Sequence, residues 1–483
     1  MNELAQLLLP AIRWDRERGY AGERARIDTA LAAGVGGFIL FGGEAAEVAA
    51  LTAELRARSS VALLIASDLE RGAGQQFIGA TGLPPLAAIA SLGDPNLVRQ
   101  AARLTAKESR RLGINWDFAP VCDVDVEPAN PIVGTRSFGG DVERVTDFAA
   151  EWIDGCQSLG VLACAKHFPG HGRTTADSHA ELPVVSASQD DLFEIDLAPF
   201  RAAIDAGVAS IMTAHISYPA LDPSGTPATL SRAVIHGLLR ERLGFDGLIV
   251  TDALIMQGVL EGRDESAACV AAIAAGCDVL CYPTDVVVVA RALEKAASRG
   301  ELDSEQLHQS LQRRQRRALW AAGAEGEPVG ALADTHWADA LALHTVHVVR
   351  GRPGTISSSV DITIVDDDLG GPYPPPSRDP FLEGLHDCGA DARVVETPSG
   401  DARRSTIIAL FGDNRSWKGR PGYSATSRAT VERALSAAPD AVVVQFGHPR
   451  LASEIPGQSP VISAWGGERV MQNAAARWLM GER

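Results

Sequence analysis

No stretch of this sequence is apolar for long enough to cross a bilayer. The opening run from Met1 to Pro10 lacks the basic start of a secretory signal, its apolar part is short, and Asp15, Arg16 and Glu17 follow closely. A cytoplasmic protein without a membrane partner is therefore expected. Positive charge is also scarce. Against 61 Asp and Glu stand 44 Lys and Arg, a formal net charge of -17, which argues against nucleic acid or an anionic lipid surface as partner. Cysteine is sparse and odd in number: seven residues, scattered, with Cys164, Cys277 and Cys281 in apolar surroundings. They read as reduced, buried small side chains rather than a disulfide framework. There is no internal repeat, no H-E-x-x-H and no Cys pair beside a histidine cluster, and no open-sheet nucleotide fingerprint.

What is present is length and a regular alternation. With 483 residues and 46% hydrophobic content, the chain can bury one large or two medium cores. An amphipathic N-terminal segment leads into an apolar run bounded by glycines at 34–42. Further apolar runs follow at 61–66, 114–121, 161–165, 209–215, 247–252 and 277–282, with helical stretches such as 45–58, 95–112 and 142–159 among them. Seven such strands alternating with helices predict an α/β fold, a (β/α) barrel of TIM type. Helix continues over 285–322, and the Gly-rich stretch 323–330 marks a linker. A second α/β set, with strands at 360–365, 405–411, 440–446 and 460–465, predicts a smaller sheet domain; 370–376 is a local Pro-rich loop. The expected division is a barrel over 1–325, a linker and helix over 326–353, and a C-terminal α/β domain over 354–483.

Polar residues punctuate the strand ends: Asp68, Asp123, Lys166-His167, His215 and Asp252. Strands of a parallel barrel are buried apolar runs, so charged groups collected at their carboxyl ends face a common pocket. The densest group is Lys166-His167-Phe168-Pro169-Gly170-His171-Gly172, with Asp177-Ser178-His179 close behind; it places three of the chain's eleven His within thirteen residues. His167, His171, Asp177 and His179 could be metal ligands. The i, i+4 spacing of the first two needs a helix, however, and Pro169-Gly170 opposes one. Neither a metal nor a cofactor is expected.

A pocket of this kind suits the opening of an acetal. Asp252 could be a nucleophile, since a carboxylate on a rigid strand end can attack a carbon held beside it; it could equally cap a following helix. His179 is the candidate proton donor, because imidazole titrates near neutrality, and Asp177 could orient its ring. Asp68, Arg136, Lys166, His167 and His215 could hold sugar hydroxyls through charge-assisted hydrogen bonds. Lys166 could instead form a Schiff base.

K-H-F-P-G-H-G followed by D-S-H, with I-V-T-D after and R-S-F-G before, resembles glycoside hydrolase family 3, and most of all its bacterial β-N-acetylglucosaminidase branch. The resemblance covers about residues 30–285, with weaker echoes beyond. It implies a retaining mechanism through a glycosyl-enzyme, with Asp252 as nucleophile, His179 as general acid/base paired with Asp177, and Asp68, Arg136, Lys166 and His167 on the sugar. The implied substrate is a small-molecule carbohydrate with a terminal β-linked N-acetylglucosamine, from cell-wall fragments or chitin-derived sugars. A homodimer is compatible with it. The family's second-strand motif departs here: Arg71 interrupts the usual Gly-Gly, and Gln76 stands where an Arg is frequent. Ala253 replaces a frequent acidic residue. Other readings are a phosphorylase, since neutral imidazole does not repel phosphate, a β-glucosidase of the same family, or a non-catalytic sugar-binding protein.

Overall fold

The computed structural model describes residues 3–260, 262–321, 329–368, 375–398, 401, 403–413 and 418–482. They fall into two compact units: Met1–Thr81 with Pro95–Val126 and Gly140–Ala331, and Gly82–Asp94 with Glu127–Gly139 and Leu332–Arg483. The expected boundary at 325/326, most of the linker at 323–330 and the loop positions 370–374 lie outside the described residues.

The first unit is a parallel barrel. Its strands are β1 (Leu8–Leu9), β2 (Ala11–Arg13), β3 (Gly37–Phe41), β4 (Leu64–Ser67), β5 (Trp116–Asp117), β6 (Leu162–Phe168), β7 (Ser210–Thr213), β8 (Leu248–Thr251) and β9 (Leu280–Cys281). Strands β2 to β8 pair in sequence order. A parallel bridge from Val250 to Val279 carries the ring to β9, and β9 pairs in parallel with β1. Because β1 and β2 are one extended segment broken at Pro10, eight strand positions close the circle, one more than the sequence reading found. The eighth is the N-terminal segment, whose sequence pattern reads as amphipathic. Proline offers no N–H to a ladder, so Pro10 splits this strand into pieces too short to read as a run; its carbonyl still accepts from Ile39 N at 3.0 Å.

Successive residues of a strand point to opposite faces. The barrel interior takes Leu9 and Ala11, Ile39, Leu64 and Ala66, Leu162 and Cys164, Leu248 and Val250, and Val279 and Cys281. Continuing the alternation one step toward the carboxyl ends of the first five of these reaches Arg13, Phe41, Asp68, Lys166 and Asp252, four of them charged. The period that fills the core therefore also gathers the polar layer above it. Outside, helices start at side-chain caps: Asp141 accepts from Arg144 N ahead of Val142–Gln157, and Asp264 from Ala267 N ahead of Glu265–Ala275. All seven Cys are unpaired, and six of them are buried. No helix among the described residues is long and apolar enough to cross a membrane.

The second unit holds a six-stranded sheet in the order β10-β15-β14-β13-β11-β12. These are β10 (His347–Arg350), β11 (Ser359–Asp366), β12 (Asp391–Val394), β13 (Ser405–Phe411), β14 (Val442–Phe446) and β15 (Val461–Ser463), parallel except for β10. One face packs Ile362, Ile407, Phe411, Val444 and Ile462 against Phe381, Leu385, Met471 and Ala475. The other packs Ile408, Leu410 and Val443 against Val431 and Leu435. The two strands the sequence did not reveal, β10 and β12, are the edges. They expose much of their surface and so lack the continuous apolar run that marks a buried parallel strand.

Candidate active site

Every residue of β6 is buried, and its interior positions run Leu162, Cys164, Lys166. An ammonium group so placed requires anionic partners to offset its lost hydration. It has two: Lys166 Nζ lies 2.7 Å from Asp68 Oδ1 and 2.7 Å from Glu70 Oε1. The two carboxylates differ in exposure. The Asp68 side chain is 29% exposed and that of Glu70 only 3%, so Asp68 is the one open to a ligand while Glu70 is spent on the lysine.

His167 is fixed by Asp123. Asp123 Oδ1 accepts from the backbone N–H of His167 at 3.1 Å and of His171 at 2.6 Å, and its Oδ2 lies 2.7 Å from His167 Nδ1. Burial works against the charge on Asp123, but His167 and His171 outweigh it and hold this carboxyl below its ordinary value. An ionised Asp123 can only accept, so Nδ1 of His167 carries its proton toward it. His171 sets its ring edge-on to that of His167, the centroids 5.8 Å apart. Its ring lies between Thr174 Oγ1 at 2.7 Å and Ser178 Oγ at 3.1 Å, and so ties down the loop that follows.

That loop bears Asp177 and His179. Asp177 Oδ1 accepts from His179 N at 2.9 Å and lies 2.7 Å from its Nδ1. A buried carboxylate at Nδ1 fixes the ring's orientation and leaves Nε2 as the nitrogen that exchanges a proton.

Asp252 follows β8 in the interior alternation after Leu248 and Val250. Its Oδ1 accepts from Ala253 N at 2.7 Å. The next helix begins only at Gln257, so Asp252 does not serve as its cap. Burial raises the cost of its charge, yet His167, His215 and His179 together bring its pKa down to about 2. His215 is fully buried, with Nδ1 2.8 Å from Thr229 Oγ1 and Nε2 3.2 Å from Ala253 O. It holds the backbone beside Asp252.

Asp68, Lys166, His167, Asp177, His179, His215 and Asp252 thus all stand at or beside the carboxyl ends of barrel strands. Arg136 belongs to the second unit, on the turn Gly134–Arg136, where its Nη1 donates to Ile132 O at 3.4 Å. Gln76 accepts from Gly42 N at 3.3 Å through Oε1, just past the end of β3. The mouth contains residues the sequence reading passed over. Besides Glu70 and Thr229, Arg13 stacks its guanidinium 4.4 Å from the Phe41 ring centre and 5.3 Å from that of Tyr282. These three fill the arc of β2, β3 and β9. Arg13 went unseen because its strand did; the one signal was the short apolar pair Ala11-Ile12 before it. Among the described residues no three His, Cys, Asp or Glu side chains are placed to hold a metal ion.

A β-N-acetylglucosaminidase/β-glucosidase of Cellulomonas fimi is 30% identical over 496 residues, covering 93% of this chain and 86% of its own. A β-hexosaminidase of Thiobacillus denitrificans is 39% identical over 255 residues, 51% of this chain and 70% of its own. Among solved structures, a glycoside hydrolase family 3 β-N-acetylglucosaminidase from Paenibacillus sp. str. FPU-7 matches with a TM-score of 0.86 at 29% identity, covering 99% of this chain and 96% of that one. The description of the glycosyl hydrolase family 3 N-terminal domain matches residues 2–316, which span the whole barrel and its strand-end cluster. With well over half of its length so matched, the chain belongs to glycosyl hydrolase family 3.

Proposed function

We propose that this glycoside hydrolase removes terminal β-linked N-acetylglucosamine with retention of configuration, using Asp252 as nucleophile and His179 as general acid/base. The observation that carries the reading is the backbone tie between the loop bearing Asp177 and His179 and the segment just beyond Asp252, Gln257 N donating to His179 O at 3.4 Å and Gly258 N to Ser178 O at 3.1 Å. In the first step an Asp252 oxygen attacks the anomeric carbon. The bond to the leaving oxygen breaks, and His179 Nε2 gives that oxygen its proton. In the second step His179 Nε2 takes a proton from water. The water oxygen bonds to the same carbon and the Asp252 carboxylate departs. Asp177 supports the imidazolium that starts the first step and re-forms in the second; in the glycosyl-enzyme between them the His179 ring is neutral. Asp68, Lys166 and His167 hold the sugar's hydroxyls.

The sugar is proposed from the relatives' names, which specify N-acetylglucosamine in the Paenibacillus protein and add glucose in the Cellulomonas one. Aryl β-glycosides that differ only in the group on the second carbon test this. We expect kcat/KM for the N-acetylglucosaminide to exceed that for the glucoside about tenfold or more, within the range one matched polar contact supplies. Equal or better hydrolysis of the glucoside would defeat the substrate assignment.

The assignment of His179 leaves room for a second acceptor, since a neutral imidazole as acid/base does not repel phosphate as a carboxylate would. Product analysis with and without inorganic phosphate separates the cases: sugar 1-phosphate as product shows phosphate replacing water as the acceptor, and its absence removes phosphorolysis. A cytoplasmic role on cell-wall or chitin-derived fragments belongs to the same proposal. The seven unpaired Cys support the location.

A further inference from the structure

The loop carrying Asp177 and His179 meets the segment beyond Asp252 backbone to backbone. Gly258 N donates to Ser178 O at 3.1 Å, and Gln257 N donates to His179 O at 3.4 Å. Gly258 is buried in the short helix Gln257–Leu260. A Cβ built there would lie 2.8 Å from Ser178 O, 3.0 Å from Glu181 O and 3.1 Å from His215 O. All three are carbonyl oxygens of the main chain, so no side chain can rotate aside. The backbone conformation at 258 is not left-handed. What requires glycine is space.

These three carbonyls come from different parts of the site. Ser178 and Glu181 belong to the loop after β6, His215 follows β7, and Gly258 itself lies six residues past Asp252 after β8. Ser178, between Asp177 and His179, is therefore held at both ends, its hydroxyl against His171 Nε2 and its carbonyl on Gly258 N. We propose that Gly258 is a positioning residue for the reaction, setting how closely the His179 ring approaches the carbon that Asp252 attacks. The inference rests on the assignment of Asp252 and His179 above. A methyl group at 258 forces the loop outward by a few tenths of an ångström. Proton transfer to a leaving oxygen is sensitive to such a shift, since a displacement of about 1 Å costs roughly 100-fold.

The test is Gly258→Ala in the full chain, assayed on aryl β-N-acetylglucosaminides whose leaving groups range from good to poor. We expect kcat/KM to fall about tenfold for poor leaving groups, which need the proton, and much less for good ones, whose kcat falls because the second step needs the base. Azide, which attacks without a general base, should restore turnover of the good substrates. Labelling of Asp252 by an activated fluoroglycoside should proceed as in the wild type, showing that fold and nucleophile are intact. A loss equal across all leaving groups and unrelieved by azide would make Gly258 a packing residue only, and no loss would also overturn the proposal. If Gly258→Ala does not fold, Gln257→Pro decides. It deletes the amide that donates to His179 O at the first helical position, where proline is tolerated, and a wild-type leaving-group profile there overturns the inference. If instead the wild type gives no label on Asp252, the assignment of the pair has failed rather than the role of the glycine.

Discussion

Asp252→Asn should lower kcat for an aryl β-N-acetylglucosaminide by about 10⁴-fold or more, roughly 5 kcal/mol in the barrier. Asparagine has nearly the same shape and keeps an oxygen for Ala253 N, so the fold survives. What disappears is the charge that attacks carbon and that His167, His215 and His179 stabilise. Mass spectrometry after exposure to a fluoroglycoside should find the sugar on wild-type Asp252 and nothing on the variant. Undiminished hydrolysis by Asp252→Asn would refute the mechanism. The pH dependence has a definite sign. The reactive form is the ionised one, and the pKa of Asp252 is about 2. Its protonation therefore removes activity only near that pH, and a fall in kcat/KM between about pH 5 and 7 must arise elsewhere in the site. The same sign holds for stability. A carboxyl depressed on folding contributes above its ordinary value, and the contribution is lost as pH falls toward about 2.

His179→Ala should reduce kcat/KM about 10²- to 10⁴-fold on substrates with poor leaving groups and far less on activated ones, the range expected for a general acid. With an activated substrate the glycosyl-enzyme should accumulate, because nothing takes the proton from water. Azide should then raise the rate and yield a glycosyl azide with retained configuration. Asp177→Asn should show a milder form of this pattern. The amide can still approach Nδ1 but no longer supports the imidazolium, and the carboxylate that fixes the tautomer is gone. A leaving-group dependence in His179→Ala no steeper than in the wild type would exclude His179 as the acid. The active proton donor would then have to be sought among other groups at the mouth.

Much of this site was readable because parallel barrels concentrate chemistry at one end of each strand. The runs ending in Asp68, Lys166-His167, His215 and Asp252 are apolar up to their last residues, and that contrast is visible without coordinates. The dyad was readable for a local reason: Asp177 and His179 are two apart, and a carboxylate so placed reaches both the backbone and ring nitrogens of the histidine. The N-terminal strand was not readable, since Pro10 breaks its pattern, and with it Arg13 was lost. Nor were β10 and β12, because an edge strand needs no apolar run.

The sequence alone determined the alternation of strand and helix, the polar residues at the strand ends, and the family resemblance in the lysine-histidine motif. These depend on local periodicity and on spacing along the chain. Only the tertiary structure decided which groups neutralise one another. Lys166 pairs with a residue 98 positions away and His167 with one 44 away. Such pairs form because barrel closure brings distant strand ends side by side in a poorly hydrated mouth, where an unpartnered charge would be too costly to keep. The need for glycine at 258 has the same origin. Three carbonyls from separate segments converge there, and nothing in the local sequence registers that crowding.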